Sequence, residues 1–190
     1  MALKAGFALC GSFCTFDKAI PQIEELIKSG IDVLPIMSFN AYNTDTRFGK
    51  ASEHIEKIES ICGHKIIHTL TDAEPIGPKK IIDALIIAPC TGNTIAKLAA
   101  GIADTPVTLA AKSNLRNGNP LIIAISTNDA LGNAAKNIGL LMNAKNIYFV
   151  PFSQDDSTNK PTSIVADFGK IKDTLLQAIV GNQIQPMIKQ

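Results

Sequence analysis

Short, mostly apolar runs separated by segments of helical period constrain this chain more than any other feature. The runs are residues 5–10 (AGFALC), 31–37 (IDVLPIM), 85–87 (LII), 120–125 (PLIIAI) and 147–151 (IYFVP). A strand with one wet face alternates polar and apolar residues, whereas a strand buried on both faces is apolar throughout. Between the runs, residues 18–29 carry Ile20, Ile23, Leu26 and Ile27 on one helical face, closed by Gly30. Residues 48–62 carry Ile55, Ile58 and Ile61 in the same phase. Such βα alternation predicts a three-layer α/β/α fold around a doubly wound, mainly parallel sheet.

The remaining stretches complete that plan. Residues 65–70 read as a third short strand and 71–80 (TDAEPIGPKK) as a loop. Pro89 is expected to end the central strand, because proline donates nothing to a ladder. Helical pieces follow over 95–102, 103–119 and 130–143, with Asn117-Gly118 breaking the second. Residues 153–162 are polar and loose, and 164–180 read as a final helix. At 190 residues, the expectation is a single domain over 1–190 with a C-terminal loop and helix from about 151. No internal repeat is visible.

Composition excludes several classes. Eighteen Lys plus Arg against 17 Asp plus Glu leave no bulk charge for nucleic acid or a membrane surface. No window is apolar enough to span a bilayer, and MALKAGFALCGSF reads as a first strand rather than a signal peptide. Cys10, Cys14, Cys62 and Cys90 form no C-x-x-C pair and have no His partner at zinc spacing, so free thiols in a reducing cytosol are expected and no metal site is. The absence of Trp argues against a base-stacking surface.

The chemistry concentrates at strand ends. Residues 83–104 (DALIIAPCTGNTIAKLAAGIAD) place a small polar loop, Cys90-Thr91-Gly92-Asn93-Thr94, between a buried strand and a helix start. Gly11-Ser12, Ser38 and Ser126-Thr127-Asn128 occupy the other strand ends. In a doubly wound sheet all of these lie on one edge, where ligands bind and helix N-termini receive anions. Each is also readable as an ordinary βα corner capped by its own hydroxyl or amide. No G-x-G-x-x-G, P-loop or G-x-S-x-G motif is present. A flavodoxin-like sheet holding FMN stays open.

These residues resemble a known family. APCTGNTIAKLAAGIAD is similar to the AP-x-S-A-N-T-x-A-K-x-A-x-G-x-x-D signature of the homo-oligomeric flavin-containing cysteine decarboxylases. PLIIAISTN sits where that family has P-x-x-I-A-P-A-M-N, and Gly11-Ser12 matches its phosphate turn. Within this group the chain more closely resembles the B-subunit family of the dipicolinate synthases, through GSFCTF, PIMSFNAYNTDTRFG and APCTGNT. The departures are specific. The decarboxylases carry a histidine at the position of Pro75, and the nearest histidine here is His68. Gly92 replaces the alanine of S-A-N-T, while Asn93 and Thr94 are kept, and the P-A-M-N segment loses its proline and its methionine, where Ile125 and Thr127 stand, but keeps Asn128.

The resemblance implies roles. Gly11 and Ser12 would take an FMN phosphate, with Ser38 on the phosphate or the flavin edge. Thr91, Asn93 and Thr94 would line the flavin ring and substrate, and Ser126 and Asn128 would face the ring or a substrate carboxylate. No catalytic residue is assigned. Lys112 and Arg116 are candidate partners for a dicarboxylate, although solvated helix positions are the preferred reading. Cys90, His54, His64 and His68 read as packing or surface residues, Phe13 and Phe16 as core with ligand cover as the alternative, and Asp104 as a turn or subunit contact.

The implied function is an oxidoreductase: an FMN subunit acting with an NAD(P)-type A subunit to form dipicolinate from a dihydrodipicolinate-type precursor during sporulation. The implied setting is the cytoplasm of a mother cell, with a trimer-based homo-oligomer. A flavin-dependent decarboxylase of a cysteinyl substrate, a prenyl-flavin synthase and a non-catalytic subunit with an empty flavin site are the alternatives.

Overall fold

The computed structural model describes residues 2–189. Strands β1 (Lys4–Leu9), β2 (Asp32–Met37), β3 (Ala84–Cys90), β4 (Leu121–Thr127) and β5 (Ile147–Phe149) form a parallel sheet in the order β2-β1-β3-β4-β5. Every residue of β3 is buried, and six of the seven in β4 are, as continuous apolar runs require.

Helices cover both faces: α1 (Phe16–Lys28) and α8 (Ile171–Ile179) pack together on one side, and α5 (Gly92–Ala99), α6 (Pro106–Arg116) and α7 (Ala135–Met142) lie on the other. Short helices α2 (Phe39–Asn43) and α4 (Leu70–Ala73), with the longer α3 (Ala51–Cys62), fill the connection from β2 to β3.

The sheet is mixed rather than parallel throughout. Strands β6 (Phe152–Asp156) and β7 (Lys160–Ala166) form an antiparallel hairpin, and β7 pairs with the end of β4 through Ser126 and Thr127. One edge of β4 is therefore shared: residues 121–123 pair with β5, and residues 126–127 with β7. This corrects two expectations, the loose segment over 153–162 and the helix starting at 164. Ser163, Ile164 and Val165 are in a strand, and the helical part begins only after Asp167, whose carboxylate accepts from the Gly169 N–H at 3.2 Å.

Three smaller corrections concern breakers. Pro89 does not end β3, because the β3–β4 register shifts between Ile87 and Cys90 and no ladder donor is needed there. Residues 65–70 form no strand; a single bridge joins Ile67 to Ile36 on the edge strand β2. The proline-containing stretch 71–80 holds most of α4 and a 3-10 turn over Glu74–Ile76 rather than only loop.

The strands end together. Leu9 registers with Met37, and Cys90 with Ile125. The outgoing loops are tied across this edge by the Cys10 N–H to the Pro89 carbonyl (3.2 Å) and the Ser38 N–H to the Leu9 carbonyl (3.0 Å).

Candidate flavin site

Two adjoining clefts open on that edge. The larger, about 720 Å³, lies between the loops after β1, β3 and β4 and the β6–β7 hairpin. The smaller, about 400 Å³, lies towards α2 and α5. Both fall in the volume range of small-molecule sites, about 300–1,000 Å³.

Gly11, Thr91 and Asn93 line both clefts. Ser12, Ser126 and Asn128 line the larger, and Ser38 and Thr94 the smaller. Lys112 and Arg116 are exposed on α6 and line neither, nor do His54, His64, His68 or Pro75. Phe16 is buried, while Phe13 lines the larger cleft.

The hydroxyls are not equivalent. Ser12 Oγ and Ser126 Oγ share a 2.8 Å hydrogen bond that joins strand ends 114 residues apart. Thr15 reinforces the pair, donating to the Ser12 carbonyl at 2.9 Å. Thr91 caps α5, its Oγ1 accepting from the Thr94 N–H at 3.3 Å, and Ser38 caps α2 through the Ala41 N–H at 3.3 Å. Thr94 Oγ1 donates to Cys10 Sγ at 3.3 Å.

The side-chain amides of Asn93 and Asn128 bond no described residue, though both are exposed in the larger cleft. The caps therefore have local structural work, while the two asparagine amides are open to the cleft. First-turn N–H groups of α5 also lack intrahelical partners.

Residues beyond the sequence expectations complete the lining. Asp129, Phe48, Asp155, Lys160, Ser163 and Val165 face the larger cleft beside the expected Thr127, and Lys97 faces the smaller. Those on the hairpin were invisible while 153–162 read as loop. Lys160 is held by Asp155 at 3.0 Å, and Lys97 by Asp104 at 2.7 Å. The second pair gives Asp104 a local partner and holds its carboxyl below the usual range.

Gly92 has a packing reason to lack a side chain. A Cβ there would lie 2.8 Å from both Thr127 Oγ1 and Asp129 Oδ1.

Burial governs the thiols. Desolvation pushes Cys10 up to about 11, against the opposing Thr94 hydrogen bond, and raises Cys90 well above its ordinary value. Both pack as small apolar groups, while Cys14 is exposed at the cleft. No cluster of metal-ligating residues occurs among the described residues.

The flavoprotein family model matches residues 2–182. The chain belongs to the flavoprotein family. It is 45% identical to the dipicolinate synthase B subunit of Bacillus subtilis (strain 168) over 185 residues, 97% of this chain and 92% of the relative. The crystal structure of the dipicolinate synthase B subunit from Bacillus halodurans C aligns with a TM-score of 0.91 at 44% identity, covering 100% of this chain and 99% of that one. An FMN-dependent cysteine decarboxylase, SpaF, shares the fold at a TM-score of 0.62 and 23% identity, over 93% of this chain and 97% of that one.

The lining suits a flavin mononucleotide. It offers hydroxyls, free side-chain amides and helix N-termini for a phosphate and a heteroaromatic edge. Phe13 and Phe48 supply apolar walls, and Lys97 is a cation in the cleft that Ser38 and α2 border.

Proposed function

We propose that this chain is the FMN-binding B-type subunit of a dipicolinate-forming enzyme. It acts with an NAD(P)-type A subunit on a dihydrodipicolinate-type precursor, in the cytoplasm of a sporulating mother cell and as a trimer-based homo-oligomer. The observation that carries the reading is the larger cleft itself. It gathers amides and hydroxyls from three strand ends, and among the described residues no histidine lines it. Such a lining suits holding a planar cofactor and a small acid. A decarboxylase of the resembled pattern would carry an imidazole where Pro75 stands, and the sequence has none there.

Within this reading Gly11, Ser12, Ser38 and Lys97 hold the phosphate end. Thr91, Asn93 and Thr94 shape the ring site. Ser126 and Asn128 face the ring or the substrate. Bound flavin supplies a two-electron acceptor, and the chain supplies position and electrostatics. Phe13 and Phe48 exclude water from one side of the larger cleft. Lys160, the one cation lining that cleft among the described residues, receives a substrate carboxylate when Asp155 releases it. Lys112 and Arg116 are too far along α6 to share this role.

The test is an absorption titration of the purified chain with FMN, followed by addition of the dihydro acid without oxygen. Near-stoichiometric binding and bleaching on addition of the acid are expected. Asn93→Leu should abolish the binding. A chain that ignores FMN would sink the reading and leave a structural role beside the A subunit.

A further inference from the structure

We infer that Asp129 is the proton acceptor of the larger cleft, held over Gly92 by Thr127; this rests on the dehydrogenation proposed above. Making a pyridine ring from a dihydropyridine removes two hydrogens in different forms. One leaves with its electron pair to an oxidant of the flavin or nicotinamide class. The other leaves as a proton: its C–H bond breaks, the electrons become the new ring π bond, and an O–H bond forms on the acceptor. A cleft for this chemistry therefore needs a base as well as an oxidant.

Among the described residues, two carboxylates line the larger cleft and no imidazole does. Asp155 is tied to Lys160 at 3.0 Å, whereas Asp129 meets no cation among the described residues. Asp129 instead accepts a 2.6 Å hydrogen bond from Thr127 Oγ1. That bond leaves its second oxygen without a described partner.

Its placement is built rather than incidental. The carboxylate and the Thr127 hydroxyl occupy the space that a side chain on residue 92 would need, each 2.8 Å from a Cβ there. Gly92 opens α5, whose first-turn N–H groups favour a negative charge. Two departures from the decarboxylase pattern thus have one explanation: glycine at 92 leaves room for the Asp129 carboxylate, and threonine at 127 holds it there.

The other titratable groups lining the cleft are Asp155, Lys160 and Cys14. Lys160 at the start of β7 is placed to take a substrate carboxylate, while Asp129, which lines the cleft with Asn93 and Asn128, is placed to meet the ring.

The experiment uses the full chain loaded with FMN, with the A subunit present. It compares the parent with Asp129→Asn, Asp129→Ala, Asp129→Glu and Thr127→Val. FMN affinity is read by fluorescence quenching, affinity for pyridine-2,6-dicarboxylate by calorimetry, and turnover against pH.

Asp129→Asn should keep FMN affinity within about twofold, and bind the dicarboxylate as tightly as the parent or tighter, since a negative charge is gone. Its turnover should fall about 100- to 10,000-fold, the span of a lost general base. Asp129→Glu should retain part of the turnover, and added acetate should restore part of it in Asp129→Ala. Thr127→Val, which removes the hydrogen bond that holds the carboxylate in place, should lower turnover by less than Asp129→Asn does.

Turnover of Asp129→Asn within threefold of the parent would overturn the assignment, and so would a loss confined to FMN affinity. A parent that binds FMN and the dicarboxylate but converts nothing would overturn the proposed dehydrogenation itself, and the acceptor role with it.

Discussion

The end of β3 and the β6–β7 hairpin face each other across the larger cleft, and they are built on opposite principles. The β3 side is a buried strand running into a capped helix, with Ile86 and Ile87 fully inaccessible. The hairpin side is mostly solvated, and its turn is held by polar groups. Asp156 accepts from the Asn159 N–H at 2.9 Å and the Thr158 N–H at 3.1 Å. A ligand cleft gains precision from the first kind of wall and adjustability from the second. Loops and hairpins that open at low cost belong to the low-stability end of a fold.

The comparison breaks first on stability. Ile86→Ala removes a fully buried side chain from the central strand and should cost about 2–5 kcal/mol in urea unfolding. Ser157→Ala at the exposed hairpin turn should stay within about 0.5 kcal/mol. Equal costs would mean that the hairpin is as much core as the sheet.

Alkali is the next lever, and it acts on the sheet side. The folded-state value of Cys10 is raised from 9.0 to about 11 by burial. Its contribution is therefore intact below pH 9 and fades as pH rises towards 11, because the unfolded chain ionises first. Each unit of that gap is worth about 1.4 kcal/mol. The parent should lose stability between pH 8 and pH 10.5, and Cys10→Ala should lose less. In native protein at pH 8, Cys14 should be the thiol that reacts rapidly with a maleimide, since Cys10 and Cys90 are buried and Cys62 is half-buried with its thiol pushed up to about 12 by burial. Parallel pH curves for the two proteins would remove Cys10 from the account.

Lys160 sharpens the comparison through binding. Lys160→Met should weaken pyridine-2,6-dicarboxylate about three- to fivefold, the scale of an exposed charge pair. Asp155→Asn should strengthen it, because the competing carboxylate is gone. Calorimetry on the FMN-loaded chain checks both, and effects of the same sign would dismiss the exchange.

The smallest effect is acid loosening of the hairpin turn. Asn159, through its backbone N–H first, holds the Asp156 carboxyl below the usual carboxylate range. That contribution is present above the ordinary value and is lost as pH falls through the lower folded one. Amide exchange at Thr158 and Asn159 should then quicken relative to β3. Uniform loss of protection would place the acid-sensitive step elsewhere.

Much of this architecture was legible because it depends on local pattern. The five apolar runs became the parallel strands, and Gly30 ends α1 with a φ of 82° in the left-handed region. What escaped depended on neighbours. Residues 152–166 are too polar to mark themselves as strands. They pair because β4 extends beyond β5 and leaves ladder groups at Ser126 and Thr127 to be filled. Pro89 reads as a stop until the register shift removes the need for its missing donor.

The candidate site divides in the same way. The chain itself placed small polar residues after each buried strand, since an apolar run followed by a hydroxyl- and glycine-containing loop marks a βα corner at any point in a sequence. The tertiary structure alone joined Ser12 to Ser126, brought Lys160 of the hairpin to the cleft mouth and set Asp129 over Gly92. Those distances arise from strand order and register, which bring together residues far apart in the chain. No local periodicity encodes them.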